Sequence, residues 1–134
     1  MKLSELSAII IELNGAGALD VVPTGSHFTC DPPVETTDKD FAVLVESTSD
    51  LDGFLALGYV DCTLDPDSPQ YQEETLSEFR TLRRDKINLI VMTKNRYTLF
   101  KACTDISTRL NLLDKEDRVY LFVQMREHLL PLLK

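Results

Sequence analysis

The sequence has little of several residue types that often define a site. It contains no tryptophan and only three cysteines, at positions 30, 62 and 103. No two of them form the closely spaced pair of a zinc site, and an odd, scattered set does not make a disulfide framework. We therefore expect a reducing compartment, with Cys62 and Cys103 as small residues of the core.

Basic residues are also few. The chain has 14 Lys and Arg against 22 Asp and Glu, which gives a formal net charge of -8. This balance argues against an extended nucleic-acid-binding face, because such a face needs clustered positive charge. It remains compatible with a nucleotide or the end of a tRNA, because a bound cation can supply positive charge locally.

Long hydrophobic runs are absent as well, and no stretch reaches the length of a membrane span. Apolar residues near the N-terminus recur at helical spacing, at positions 3, 6, 10 and 13. This spacing predicts an amphipathic helix from about Ser4 to Leu13 rather than a signal peptide. We expect one domain spanning residues 1–134, soluble, cytoplasmic and without membrane contact.

The rest of the chain mixes strand-like and helix-like segments. Phe41–Val45 is a continuous apolar run, typical of a strand covered on both faces. Residues 78–92 predict a hairpin with a charged turn at Arg83–Lys86. The other expected elements are a strand at 19–22, a polar loop at 25–37, a helix at 50–57, an extended segment at 59–62, a turn-rich loop at 64–70 and two C-terminal helices. The fold class is α/β of the α+β type, with a mixed sheet of about four to five strands flanked by helices.

Two carboxylates stand at the entrance of the apolar strand. Asp38 and Asp40 are two residues apart, so a strand that includes both projects them from one face. Carboxylates this close are stable with a cation between them, a shared proton or full access to solvent. A magnesium ion is the natural cation for oxygen ligands.

A Gly-Ser pair precedes these carboxylates. Gly25 allows a tight backbone turn that brings amide groups close to an anion, and Ser26 adds a hydroxyl. Amides and a hydroxyl on one side, with a metal held by Asp38 and Asp40 on the other, form a cradle for a metal-bound triphosphate. Such a site supports phosphoryl or nucleotidyl transfer.

The order Gly25-Ser26, eleven further residues, Asp38-x-Asp40 and an apolar strand resembles the signature of the nucleotidyltransferase fold, the polymerase-beta-like superfamily. The resemblance implies that Gly25-Ser26 contacts the nucleotide phosphates and that Asp38 and Asp40 bind Mg²⁺ or Mn²⁺. The stretches INLIVM at 87–92 and LNLLDKEDRVYLF at 110–122 are similar to small nucleotidyltransferase-like proteins of tailed bacteriophages, which implies a bacterial host cytoplasm.

One position departs from that family. The family places a third catalytic carboxylate on a later strand, where this sequence has Asn88. An amide can offer its carbonyl oxygen to a metal, but it cannot act as a general base at neutral pH. The substitution leaves turnover open while nucleotide binding is still expected. Asp85, Glu46 or Asp61 can substitute only if the fold brings one of them to the site.

Three functions stay open at this point. The first is a metal-dependent transfer of a nucleoside monophosphate from a nucleoside triphosphate to an unknown acceptor, which can be RNA, protein or a small molecule. The second is a catalytically degenerate phage protein that binds and inhibits a host protein through its acidic surface. The third is an α/β adaptor in which the match at Gly25, Asp38 and Asp40 is accidental.

Other polar residues have two interpretations each. His27 either contacts a phosphate or base, or is a solvated loop histidine. Arg80 and Arg84 either bind phosphate across the cleft or belong to a solvated turn. Lys39 is expected on the strand face opposite to the two aspartates, so it is not assigned to phosphate.

Overall fold

The computed structural model describes residues 2–31, 38–62 and 79–133. Within these ranges the chain forms six helices and five strands, which confirms the α+β class. The elements in chain order are α1 (Leu3–Gly15), β1 (Asp20–Thr24), α2 (Ser26–Thr29), β2 (Lys39–Leu44), α3 (Asp52–Ala56), β3 (Val60–Asp61), β4 (Phe79–Arg84), β5 (Ile87–Met92), α4 (Lys94–Leu110), α5 (Lys115–His128) and α6 (Leu130–Leu133).

The strands form one open mixed sheet in the order β1-β2-β5-β4-β3. β2 and β5 pair in parallel at its centre, and the other neighbours are antiparallel. The edge strand β1 contains Pro23, which has no N–H to donate and is therefore tolerated at an edge. The mixed sheet predicted from the sequence is confirmed.

The hairpin of β4 and β5 is tighter than predicted. Arg84 pairs with Ile87, so the turn consists of Asp85 and Lys86 alone. Asp85 has a φ of 54°, a conformation that Asp adopts more readily than most residues. The four-residue turn expected at Arg83–Lys86 is therefore wrong, because both arginines lie in β4.

The sheet is covered on both faces, as the apolar run of β2 predicts. Phe41 and Val43 point to the layer formed by α1 and α3, where Leu13 and Phe54 complete the core. Ala42 points the other way, into a second cluster with Phe79, Ile90, Met92 and Tyr97 of α4. Alternate residues of one strand thus supply two cores.

Residues 25–37 were expected to be a loop, but the short helix α2 lies in this range. The carbonyl of Gly25 accepts the N–H groups of Phe28 and Thr29 and the hydroxyl of Thr29, which closes this turn. The turn-rich loop at 64–70 lies outside the described residues. The two C-terminal helices are confirmed as α4 and α5, and Pro131 lies in the first turn of α6, where its missing N–H is tolerated.

The cysteines follow the prediction in part. Cys103 is buried, and so is Cys30, whereas Cys62 is half-buried at the end of β3. In the described ranges, none of the helices combines the length and the apolar character needed to cross a bilayer.

Candidate functional site

Two of the predicted site residues, Asp40 and Asn88, lie in one row across four strands, together with Thr24 and Arg83. The register pairs Thr24 of β1 with Asp40 of β2, Asp40 with Asn88 of β5, and Asn88 with Arg83 of β4. Residues directly opposite each other on neighbouring strands share a face. This face is the one covered by α4, because the Thr24 hydroxyl lies 2.6 Å from the hydroxyl of Thr104.

Gly25 directly follows β1 and lies beside Asp40. Its φ of 78° lies in the region that favours glycine. A Cβ at this position would fall 2.3 Å from Oδ2 of Asp40, so no larger residue fits without displacing the carboxylate. The sequence predicted that Gly25 lets the backbone come close to an anion. In the structure, the group that lies close to Gly25 is the carboxylate of Asp40.

Asp40 is largely withdrawn from solvent. Burial raises the pKa of its carboxyl to about 6, and the nearby charge of Asp38 acts in the same direction. Nδ2 of Asn88 donates a hydrogen bond to Oδ1 of Asp40 at 3.3 Å, and this bond and the charge of Arg83 both oppose the rise in pKa. Asn88, the residue at the expected position of the third carboxylate, therefore donates a hydrogen bond to Asp40.

Asp38 has a cationic partner that the sequence interpretation missed. Nη2 of Arg83 donates to Oδ2 of Asp38, and Nε of Arg83 donates to the carbonyl of Asp85 at 3.3 Å. The Arg83 side chain is 49% exposed and that of Asp38 is 32% exposed. A two-residue turn at Asp85-Lys86 would have revealed this partner, because that register places Arg83 opposite Asn88.

The two arginines that the sequence put forward for phosphate lie on the other face. Arg80 pairs with Asp61 at 3.1 Å. Arg84 pairs with Glu12 at 3.1 Å and also donates to the Leu57 carbonyl. Both alternate with Arg83 along β4, so neither faces Asp38 and Asp40, and a phosphate role for them across the cleft is wrong.

His27 and Ser26 lie in α2. The His27 side chain is buried, at 5% exposure, and its ring centroid is 4.9 Å from that of Phe28. The interpretation of His27 as a solvated loop residue is therefore wrong, and its contact with a nucleotide stays a prediction. Ser26 begins α2 directly after Gly25, and the role of its hydroxyl also stays a prediction.

None of the three candidates for a third carboxylate joins the aspartate pair through a described contact. Asp61 is paired with Arg80 on the opposite face. Glu46 follows the far end of β2, and Asp85 lies in the hairpin turn. Within 2–31, 38–62 and 79–133, no three His, Cys, Asp or Glu side chains are grouped as metal ligands.

This donor set nevertheless fits one magnesium ion. Mg²⁺ is commonly held by one or two carboxylates, with water and substrate phosphates completing its shell. Asp40 supplies one carboxylate, and Asn88 adds an amide beside it. Asp38, directly before β2, supplies a second carboxylate, which contacts Arg83 on the same face. A second ion would need a further carboxylate, so the described residues fit a one-metal site and not a two-metal site.

Comparisons with known proteins found no matching family model, no matching curated protein and no matching solved structure.

Proposed function

We propose that this protein is nucleotidyltransferase-like: it binds a magnesium-nucleoside triphosphate at Gly25, Asp38 and Asp40 and transfers a nucleoside monophosphate to an acceptor hydroxyl. One observation carries the proposal. Gly25 and Asp40, 15 positions apart in sequence, are in direct contact, with Asn88 on the same face and Asp38 linked to that face through Arg83. This contact supports the proposal, because two residues of the spacing that resembles the family signature meet in space.

The residues of the site have separate tasks in this reaction. Asp38 and Asp40 hold the metal, which when bound neutralises phosphate charge and orients the triphosphate. The acceptor hydroxyl attacks the α-phosphorus, the bond to the bridging oxygen breaks, and pyrophosphate leaves with the electron pair. Asn88 cannot accept the hydroxyl proton, which passes to solvent instead. Transfer is therefore expected to be slow relative to a site with a third carboxylate.

Calorimetry on the purified protein tests the binding step. Each of the four ribonucleoside triphosphates is titrated with and without Mg²⁺ into the wild type, Asp40→Ala and Asp52→Ala. Asp52 belongs to another Asp-x-Asp pair, is exposed and begins α3, so it is the matched control. We expect magnesium-dependent binding in the wild type and Asp52→Ala that is lost in Asp40→Ala. Equal binding by Asp40→Ala would reject the assignment.

Transfer is tested with a triphosphate labelled at the α-phosphate. Label should appear slowly on an acceptor fraction and should not appear with Asp40→Ala. Activity retained in a folded Asp40→Ala protein would remove Asp40 from the reaction.

A second function is favoured by a different observation. Arg83 already neutralises Asp38, and Asn88 stands where a catalytic acid is expected. A protein that keeps this architecture without catalysis can use its charge of -8 to bind a host protein that normally meets nucleic acid. This alternative predicts no magnesium-dependent triphosphate binding. Binding in the millimolar range or tighter would count against it.

A further inference from the structure

We infer that Arg83 is the phosphate-binding cation of this site, and that its ion pair with Asp38 must open before the metal-bound triphosphate is held. The inference rests on the proposed function, since it assigns a residue to the triphosphate. Its physical basis is an exchange of partners: Asp38 is held by Arg83 in the free protein, and the same carboxylate is needed for the metal.

The position of Arg83 supports this role. It lies in register with Asn88, which in turn is paired with Asp40, so all three side chains share one face. Half of the Arg83 side chain is exposed, so its guanidinium can move without unfolding the hairpin. A guanidinium also matches the geometry of phosphate oxygens through paired N–H groups.

Charge balance points to the same residue. A triphosphate carries more negative charge than one magnesium ion neutralises, and Asp38 and Asp40 add two further charges. One magnesium ion at this site would therefore leave negative charge that a cation from the chain can offset. Two basic side chains of α4 contact groups other than Asp38 and Asp40: Lys101 lies 3.7 Å from Asp20, and the Arg96 guanidinium lies over the Phe79 ring.

An exchange of the partner of Asp38 predicts changes in binding affinity that a purely structural ion pair does not predict. When a metal binds without a nucleotide, Arg83 competes with it for Asp38. Removing the guanidinium therefore frees Asp38 and favours the metal. When a triphosphate binds, Arg83 contributes a charge-assisted hydrogen bond, so removing it weakens binding. One substitution should thus change two affinities in opposite directions.

The experiment compares Arg83→Gln with Arg80→Gln. Arg80 is in the same strand and also pairs with an aspartate, but on the opposite face, so it is a matched control. Calorimetry is run with Mn²⁺ alone and then with the triphosphates in the presence of Mg²⁺, and thermal melting verifies that each variant is folded. In Arg83→Gln we expect Mn²⁺ alone to bind about twofold to fivefold more tightly, the range of an exposed ion pair. Triphosphate binding should weaken by about tenfold or more, as for a lost hydrogen bond to a charged group.

The outcomes separate this inference from the proposed function. The proposed exchange of partners is overturned if Arg83→Gln behaves like Arg80→Gln in both titrations. It is also overturned if Arg83→Gln binds both Mn²⁺ and the triphosphates more weakly than the wild type. Absence of triphosphate binding in the wild type rejects the proposed function and the phosphate role of Arg83 together. In that case the Mn²⁺ titration still decides whether Arg83 competes for Asp38. An increase of Mn²⁺ affinity together with a loss of triphosphate affinity supports the whole inference.

Discussion

Opposing interactions act on the ionisation of the Asp40 carboxyl. Burial disfavours its ionised form, whereas the hydrogen bond from Asn88 and the charge of Arg83 favour it. Burial is the larger effect, so the carboxyl holds its proton more strongly in the folded chain than in the unfolded one. A bound cation would reverse this balance, because it stabilises the ionised carboxylate.

This balance predicts a pH-dependent effect of Asp40→Asn. The folded pKa is raised from 3.8 to about 6, so the stability that Asp40 contributes is present below pH 3.8 and lost as the pH rises through about 6. At pH 7.5 the variant should be more stable than the wild type by about 2–3 kcal/mol in the free energy of unfolding. At pH 4 that difference should largely disappear.

Urea unfolding at several pH values between 4 and 7.5 measures the effect. Asp52→Asn, which changes an exposed aspartate, is the control and should follow the wild type throughout. Parallel pH profiles for the wild type and Asp40→Asn would contradict the burial of an ionisable Asp40.

Gly25→Ala should disrupt both the backbone and the site. An alanine here would keep a positive φ, and its Cβ would also overlap the Asp40 carboxylate. We expect a loss of about 3 kcal/mol or more in the free energy of unfolding, from backbone strain and overpacking together. Gly17→Ala is the matched control: its φ of 118° is also positive, but no atom lies within 4 Å of its Cβ.

Chemical denaturation of both variants separates the two contributions. Gly17→Ala should lose only about 1–2 kcal/mol, the cost of the backbone conformation. An equal loss in both variants would mean that Asp40 yields freely and that the contact has no structural importance.

At the scale of elements, the strongest sequence patterns predicted best. The apolar run of β2 and the helical spacing in α1 were each sufficient to place an element, because burial on one or both faces determines the pattern. Turns were predicted less well, since a charged stretch such as Arg83–Lys86 fits a turn of two or four residues. The two residues by which these turns differ, Arg83 and Arg84, decided whether Arg83 was seen as part of the site.

The contact between α1 and α3 gives a prediction at this scale. A Cβ on Gly53 would fall 2.1 Å from the carbonyl oxygen of Ala16, at the end of α1. Because the obstacle is backbone, Gly53→Ala should shift one helix against the other and cost about 2 kcal/mol or more in stability. Gly15→Ala is the control, because no atom lies within 4 Å of its Cβ, and alanine favours the helix.

Thermal melting of these two variants tests the packing. Gly53→Ala should melt at a lower temperature than the wild type, and Gly15→Ala at the same temperature or higher. A melting temperature for Gly53→Ala that equals the wild type would show that α1 and α3 are not in close contact in solution.

For the whole molecule, the two faces of the sheet are better buried than the C-terminal helix α5. Strand β5 contains four consecutive buried residues, Leu89–Met92. Helix α5 contains no buried residue, although Phe122 contacts Phe100 of α4 at 5.0 Å between ring centroids. Its attachment therefore removes less apolar surface from water than the pairing of the strands does.

This difference predicts two levels of hydrogen-exchange protection. Amides of α5 should exchange through local opening, at a lower free energy than the amides of β2 and β5, which should exchange only on global unfolding. Native-state exchange at increasing denaturant measures both. Equal protection of α5 and β5 would show that the helix unfolds together with the sheet.

The site itself could be predicted only in part. Gly25, Asp38, Asp40 and Asn88 were identified from spacing and residue type, and the structure brings them together. Their hydrogen bonds could not be foreseen, because Asn88 and Asp40 are 48 positions apart and meet only through the pairing of β2 with β5. A single sequence contains no direct signal for the register of strands so far apart.

The parallel pair at the centre of the sheet also determines when the site can exist during synthesis. The hairpin of β4 and β5 is local and can form early, whereas β2 must close a long segment of chain before it pairs with β5. A ribosome-bound chain that ends before residue 87 contains Gly25, Asp38 and Asp40 but lacks the strand that aligns them. The contact between Asp40 and Asn88 can therefore form only late in synthesis, once β5 has emerged from the ribosome.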